Sequence, residues 1–235
     1  MDMTQKSHVA NIATTLQLPT CAIRRTVIAA ACCIFLLLPG SFALALEELG
    51  AVQIIEPLDG PGFRAVGWQW HYIDQNGKAG HMTKLASSTD SAGNELASYE
   101  RTDGCQWTRP VRGFAPALLW KNCPSTGKAV VTFTAGDIWP LRIGNTFTYK
   151  VRGNSNLLAR AWGTTRQCKV TSTVRIRIVS GEYDTYKVVC KERFGTRTWW
   201  LSAEVGTAVA YEHRPKRGKL VRQEYTHIQP GLADN

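Results

Sequence analysis

The chain has 235 residues, of which 44% are hydrophobic and 20% are charged, and it carries a formal net charge of +10. Such a chain is long enough to bury a core as one domain or as two small ones. After the first 45 residues no apolar run could span a membrane as a helix, which excludes a chain with several spanning helices.

The first 45 residues have the organisation of a cleavable, helical secretion signal. A polar leader ends at Arg24-Arg25, and the apolar run TVIAAACCIFLLL follows until a Pro-Gly pair and the small-residue segment SFALA. This order predicts cleavage after Ala45, with Leu46 as the first mature residue. A membrane anchor is the alternative, because residues 26–45 could just cross a bilayer at about 20 residues.

Export places the mature chain in the periplasm or outside the cell. The arginine pair is compatible with twin-arginine export, and general secretion stays open as the route. Loss of residues 1–45 removes three basic residues and one acidic residue, so the mature charge is 25 minus 17, or +8.

The cysteine content agrees with an oxidising compartment. Four cysteines remain in the mature chain, namely Cys105, Cys123, Cys168 and Cys190. An even number in an exported chain predicts two disulfides, and nearness in sequence favours Cys105 with Cys123 and Cys168 with Cys190. No C-x-x-C spacing is present, so we expect neither a zinc site nor a redox site.

The second disulfide poses a problem of strand register. Cys168, Val170, Val174, Ile176 and Ile178 share the apolar face of one predicted strand. A hairpin that turns over residues 180–184 would place Cys190 opposite about Val174, about six residues from Cys168 and too far for a bond. The local pairing therefore requires a bulge near Ser172, and a crossed connectivity is the alternative.

From Val66 onward, short alternating segments separated by turn residues predict an all-β fold. The candidate strands are GWQWHYID, GHMTKLAS, ELASYER, KAVVTFT, NTFTYKV, KVTSTVRIRIV, YKVVCKERF, TRTWWLS, AVAYEH and KLVRQEY. Hairpins are expected at Asn76-Gly77 and around 215–218. The spacing predicts an antiparallel meander that forms a half-open or small barrel in residues 46–235. A division of this part of the chain into two smaller units is possible near 124–137.

The sequence offers no catalytic constellation. Of the histidines, His71 and His81 lie on neighbouring predicted strands and could approach each other, but neither has a carboxylate or cysteine at a suitable spacing. No hydrolase, zinc-protease or phosphate-binding motif is present. We therefore expect no enzyme activity, no catalytic residues, no metal and no cofactor.

Tryptophan is abundant in the mature chain, with eight residues. The candidates for ligand stacking are Trp68, Trp70, Trp199 and Trp200. Trp68 and Trp70 share a strand face, whereas the adjacent Trp199 and Trp200 must point in opposite directions. These rings either fill a small β core or line a cavity for a lipid, glycan or peptide.

The last predicted hairpin is strongly basic. Its candidate contacts to an anionic surface are Arg214, Lys216, Arg217, Lys219 and Arg222. Outside the cytoplasm the polyanions are acidic lipid headgroups and cell-wall polymers, so we expect a peripheral envelope contact and no nucleic acid. A solvated turn without a partner is the alternative.

The second half of the chain contains four segments whose order along the sequence is more specific than any one of them. They are WPLRIGNTFTY (139–149), the segment from Cys168, GEYDTYKVVC (181–190) and TWWLSAEVG (198–206). The series resembles an uncharacterised family of exported bacterial β-domains, the periplasmic half-barrel domains of unknown function, mainly over residues 139–206. Leu201 and Ala203 stand where the resemblance predicts tyrosine and proline. The resemblance implies a β fold and an exported location, and no reaction.

Two hypotheses follow for function. The first is a non-enzymatic periplasmic or cell-envelope β-domain that binds an apolar or amphiphilic ligand or a cell-wall component. The second is a structural or assembly protein that docks on another envelope protein. The interior of the barrel distinguishes them, because a hollow barrel favours ligand binding.

Overall fold

The computed structural model describes residues 46–54, 56–60, 65–112, 114–158 and 160–231, so the predicted signal over 1–45 lies outside the described residues. Within these ranges the chain forms no helix that could cross a lipid bilayer. The described part forms thirteen strands: β1 (Glu47–Ala51), β2 (Gln69–Asp74), β3 (Ala79–Thr89), β4 (Glu95–Arg101), β5 (Gln106–Pro110), β6 (Leu119–Lys121), β7 (Gly127–Asp137), β8 (Thr146–Ser155), β9 (Trp162–Ile178), β10 (Gly181–Glu192), β11 (Gly195–Ser202), β12 (Thr207–Pro215) and β13 (Val221–Gln229).

Strands β2 to β13 form a closed antiparallel barrel of twelve strands. Each strand pairs with the next along the chain, and β13 pairs with β2 to complete the circle. β1 lies outside this circle and pairs with the second half of β9. The predicted all-β antiparallel meander is confirmed, and the half-open alternative is wrong because the pairing of β13 with β2 closes the barrel.

Several predicted turns and strands are present. Asn76-Gly77 connects β2 to β3, and Gly77 has a φ of 76°, a value that favours glycine. Strand β4 matches the predicted ELASYER segment. The short strands β5 and β6 were not predicted. The segment 124–137, where the sequence suggested a possible division of the mature chain, includes β7, and β7 pairs with both β6 and β8.

The hairpin of β9 and β10 differs from the predicted one at its turn. Its turn consists of Val179 and Ser180, and β10 begins at Gly181, so the expected turn over 180–184 is wrong. Thr171 is an extra residue in β9, because Lys187 pairs with Ser172 while Val188 pairs with Val170. The expected bulge therefore exists one residue from its predicted position.

The turn at Val179 and Ser180 and the bulge together place the second pair of cysteines opposite each other. Without the extra residue, Cys168 would lie opposite Lys191; with it, Cys168 lies opposite Cys190 on the same face of the sheet. Both predicted disulfides, Cys105–Cys123 and Cys168–Cys190, are present. The crossed connectivity is therefore wrong.

The bulge also divides the apolar face of β9 between two cores. Cys168 and Val170 belong to a core inside the barrel, together with Tyr149, Val188 and Leu201. The residues beyond the bulge belong to a second core: Val174, Ile176 and Ile178 pack there with Trp200, Val209 and Ala210. The expectation of one continuous apolar face on β9 is therefore wrong.

The loop between β5 and β6 contributes to the inner core. Phe114 of this loop is buried and packs against Trp139 and Trp199. Its backbone oxygen accepts hydrogen bonds from the Tyr149 hydroxyl at 2.7 Å and from Arg166 Nη1 at 2.8 Å. The loop is thus anchored to β8 and β9 from within, and it fills part of the barrel.

Candidate functional site

The barrel interior contains a cavity of about 500 Å³. Its wall comes from β2 to β5, from β11 to β13, from Arg166 of β9 and from the β5–β6 loop. The lining residues are Trp70, His71, Tyr72, Met82, Lys84, Tyr99, Arg101, Cys105, Trp107, Arg109, Val111, Ala115, Pro116, Ala117, Arg166, Arg197, Trp199, Thr207, Ala208, Val209, Ala210, Tyr211, Gln223 and Tyr225. The interior is therefore hollow in this region and filled elsewhere.

Two groups of aromatic rings form part of the wall. Trp70 lies 6.0 Å from Tyr99, which lies 5.8 Å from Trp107, between ring centroids. On β11 and β12, Trp199 and Tyr211 are neighbours at 5.3 Å. Such rings give a rigid apolar surface with polar groups at their edges.

An ionic network lies beside the cavity. Its residues are near the start of β9, at the end of β10 and near the start of β11. Arg166 binds both carboxylate oxygens of Glu192, at 2.9 to 3.2 Å. Arg197 donates from Nε to Glu192 at 2.8 Å and from Nη1 to the Tyr211 hydroxyl at 2.7 Å. The Arg166 and Glu192 side chains are only 5% and 3% exposed, whereas Arg197 is 28% exposed.

Burial and this network set the protonation states of the neighbouring groups. Burial alone would raise the pKa of Glu192, but the guanidinium groups of Arg166 and Arg197 hold it below its ordinary value. Burial, and then the charge of Arg197, lower the pKa of His213 to about 4. Burial raises the pKa of Tyr149. At neutral pH the network therefore holds two positive charges, one negative charge and a neutral imidazole.

The other cations of the wall have different partners. Arg101 binds Asp103 through two hydrogen bonds of 2.8 and 2.6 Å. The guanidinium of Arg109 lies 5.1 Å from the centre of the Tyr99 ring, a cation–π contact. No carboxylate in the described part of the chain forms an ion pair with Arg109.

The four candidate tryptophans occupy different environments. Trp70 and Trp199 line the cavity. Trp200 is buried in the second core and donates from Nε1 to Glu48 at 3.1 Å, so the adjacent tryptophans do point in opposite directions. Trp68 precedes β2 and does not line the cavity. Ligand stacking by any of them stays a prediction.

The candidate histidines do approach each other. His71 lies directly opposite His81, with ring centroids 5.3 Å apart. On its other side His71 stacks on His227 at 4.2 Å, a neighbour that the sequence did not indicate. Burial and the two neighbouring imidazoles lower the pKa of His71. Among the described residues no cluster of His, Cys, Asp or Glu could hold a metal ion.

The basic hairpin is partly neutralised by an acid of its own strand. Glu212 binds Arg214 and Arg222, each at 3.0 Å. Lys216, Arg217 and Lys219 are exposed, and none forms an ion pair within the described part of the chain. Three of the five predicted cations are thus available to an anionic surface, and that contact stays a prediction.

Sequence reasoning missed the residues of the ionic network. Arg166 is two positions before Cys168, and Glu192 is two positions after Cys190, so the alternation of each strand places both on the cysteine face. The two-residue alternation of the strands was therefore a signal from which Arg166 and Glu192 could have been identified as residues of the inner face. Arg197 and Tyr211 carry no such signal, because their contacts depend on the pairing of β10 to β12.

The fold and this site define a closed antiparallel β-barrel with a partly hollow, basic and aromatic interior. No family model matches the sequence, and no curated protein matches it. Among solved structures, the chain is similar to the hypothetical lipoprotein YmcC from Escherichia coli (K12), with 9% sequence identity and a TM-score of 0.43. The match covers 69% of this chain and 85% of that chain. At this level the similarity assigns no function.

Proposed function

We propose that this protein is a non-enzymatic, exported cell-envelope barrel that binds an amphiphilic ligand in its interior. The observation that carries the proposal is the cavity of about 500 Å³ inside a closed barrel. Pockets for small molecules commonly measure about 300 to 1,000 Å³ and combine an apolar wall with a few polar groups. This cavity has both features.

Two further observations support the location and the absence of catalysis. The disulfides Cys105–Cys123 and Cys168–Cys190 are typical of proteins that fold outside the cytoplasm. General acid–base catalysis works best with a group that titrates near the working pH. Beside the cavity, the pKa of Glu192 is lowered, that of Tyr72 is raised and that of His213 is about 4.

A neutral apolar probe tests the proposal. We expect N-phenyl-1-naphthylamine to bind the purified chain saturably, with a rise in its own emission and energy transfer from Trp70 and Trp199. Ala117 of the β5–β6 loop lines the cavity, so Ala117→Trp places a large ring inside it and should abolish binding. The matched control is Ala86→Trp on β3, where the side chain is exposed.

The far-ultraviolet circular dichroism and the cooperative thermal unfolding of both variants should match those of the parent, which shows that the barrel still folds. Equal probe binding by Ala117→Trp and the parent would place the probe elsewhere and refute the proposal. So would the absence of any saturable binding to the parent.

A further inference from the structure

The charges that face the cavity have a single sign. Five basic residues line it, namely Lys84, Arg101, Arg109, Arg166 and Arg197, and none of the lining residues is acidic. Asp103 and Glu192, which do not line the cavity, form ion pairs with three of these cations. The wall therefore presents positive charge to whatever enters the cavity.

The network around Glu192 contains one more cation than anion. Arg166 and Arg197 share a single carboxylate, and the imidazole of His213 beside them is neutral. A net charge away from water is costly unless a partner of opposite sign compensates it. The surplus positive charge favours an anion in the adjacent cavity.

The hydrogen bonds show which arginine is available. Arg166 uses Nε and Nη2 for Glu192 and Nη1 for the backbone oxygen of Phe114. Arg197 uses Nε and Nη1, and within the described residues its Nη2 has no acceptor. Both arginines line the cavity, and Arg197 is the more accessible of the two, with 28% of its side chain exposed against 5% for Arg166.

Tyr211 provides a second donor at the same place. Its hydroxyl oxygen accepts the hydrogen bond from Arg197 Nη1 at 2.7 Å, which leaves the hydroxyl proton for another acceptor. The ring of Tyr211 lies beside that of Trp199, so the apolar wall begins next to these two donors. A charged head and an apolar tail would both find partners here.

We propose that the ligand is an anionic amphiphile whose carboxylate binds Arg197 Nη2 and the Tyr211 hydroxyl, with its alkyl chain against the aromatic wall. This inference rests on the proposed function, because it names the class of ligand for the same cavity. Arg109 is the rival anchor, since within the described residues its charge has no carboxylate partner and lies over the ring of Tyr99.

Chain-matched amphiphiles test the assignment. Binding of decanoate, decanol and decyltrimethylammonium to the purified chain is measured by calorimetry at constant ionic strength. We expect decanoate to bind tightest. Arg197→Gln should weaken decanoate by about 10- to 100-fold, as expected for loss of charge-assisted hydrogen bonds, and leave decanol unchanged.

Further variants separate charge, geometry and position. Arg197→Lys keeps the charge and should retain part of the preference for decanoate, while Tyr211→Phe should lose part of it. Arg109→Gln removes one of the cations of the wall and should weaken decanoate clearly less than Arg197→Gln does, whereas Arg175→Gln, at an exposed position on β9, should leave decanoate binding within about twofold of the parent. Arg197→Gln leaves a balanced pair of Arg166 and Glu192, so this variant should fold.

Each contrary result has a distinct meaning. Equal binding of all three amphiphiles, with no effect of Arg197→Gln, would overturn the anionic head and leave the proposed function standing. Loss of decanoate binding in Arg109→Gln but not in Arg197→Gln would overturn the assigned anchor. If none of the three amphiphiles bound the parent, the proposed function itself would fail.

Discussion

Replacing Glu192 with glutamine preserves the size of the side chain but removes the one negative charge that Arg166 and Arg197 share. Arg166 would keep its place, because its Nη1 still binds the oxygen of Phe114. Its charge, on a side chain only 5% exposed, would then have no counterion and an equally charged neighbour.

The expected cost follows from the burial of the pair. Removing one partner of a buried ion pair destabilises a protein by about 3 to 5 kcal/mol, since the remaining charge stays desolvated. A whole domain has a free energy of unfolding of only about 5 to 15 kcal/mol. Glu192→Gln should therefore remove a large fraction of the stability of the barrel.

Two other variants provide a comparison for the loss of unfolding free energy in Glu192→Gln. Asp184→Asn breaks the pair with Arg175, whose side chains are 41% and 49% exposed, and should cost less than about 1 kcal/mol. Arg197→Gln leaves the neutral pair of Arg166 and Glu192, so its cost should lie between the other two. The order of the three losses is the prediction.

Urea denaturation followed by tryptophan fluorescence measures these losses, with the disulfides intact. The slope of the free energy against urea should be equal in all variants, which shows that each unfolds from a barrel of the same extent. If Glu192→Gln lost no more stability than Asp184→Asn, the carboxylate would not be compensating buried charge, and the description of the network would be wrong.

Two further predictions concern acid and close packing. His213 has a pKa of about 4 in the fold against 6.5 ordinarily, so its contribution to stability is complete above pH 6.5 and is lost progressively as the pH decreases toward 4. In His213→Gln the free energy of unfolding should change less than in the parent between pH 6.5 and pH 4. If the variant and the parent showed the same dependence on pH, His213 would not be held neutral by its surroundings. At Gly153, an added Cβ would lie 2.6 Å from the Trp162 ring and 2.8 Å from a backbone oxygen of β7, so Gly153→Ala should cost about 1 to 3 kcal/mol. The neighbouring control Gly163→Ala meets its nearest atom at 3.5 Å and should be nearly neutral; equal melting temperatures for the two variants would contradict the packing argument.

Local features of this fold could be predicted from the sequence because local patterns determine them. Alternation identified most of the strands, and Asn76-Gly77 supplied a turn that needs a positive φ. The pairing of Cys168 with Cys190 required a bulge, and a bulge is present at Thr171, although the turn that sets the rest of the register lies at Val179 and Ser180 and not over 180–184. In each case, neighbours in sequence carry the necessary information.

Long-range features could not be predicted in the same way. Closure depends on the pairing of β13 with β2, two strands from opposite ends of the meander, and nothing in either segment specifies the other. The cavity depends on how far the β5–β6 loop enters the barrel, which the contacts of Phe114 decide. Trp70 and Trp199 were candidates by residue type, but only these long-range contacts make them neighbours of one cavity.

The bulge at Thr171 connects the local and the long-range features. β10 has no bulge, and its residues Tyr186, Val188 and Cys190 all lie on the inner face of the sheet. Because β9 has one extra residue, its even-numbered residues lie on this inner face before Thr171 and on the opposite face after it. Before the bulge, β9 contributes Arg166 to the interior; after it, the strand contributes to the second core. One inserted residue thus lets a single long strand serve both cores.

The same insertion determines the charge of the cavity. Cys168 opposite Cys190 and Arg166 opposite Glu192 are consecutive inner pairs of the same two strands, so the disulfide fixes the register in which the carboxylate meets the guanidinium. Glu192 in turn binds Nε of Arg197, which lines the cavity and whose Nη2 has no acceptor among the described residues. A shift of register by one residue would move the carboxylate to the outer face and leave both arginines uncompensated. The disulfide therefore stabilises more than the hairpin, because it fixes the arrangement that makes one arginine of the interior available to an anion.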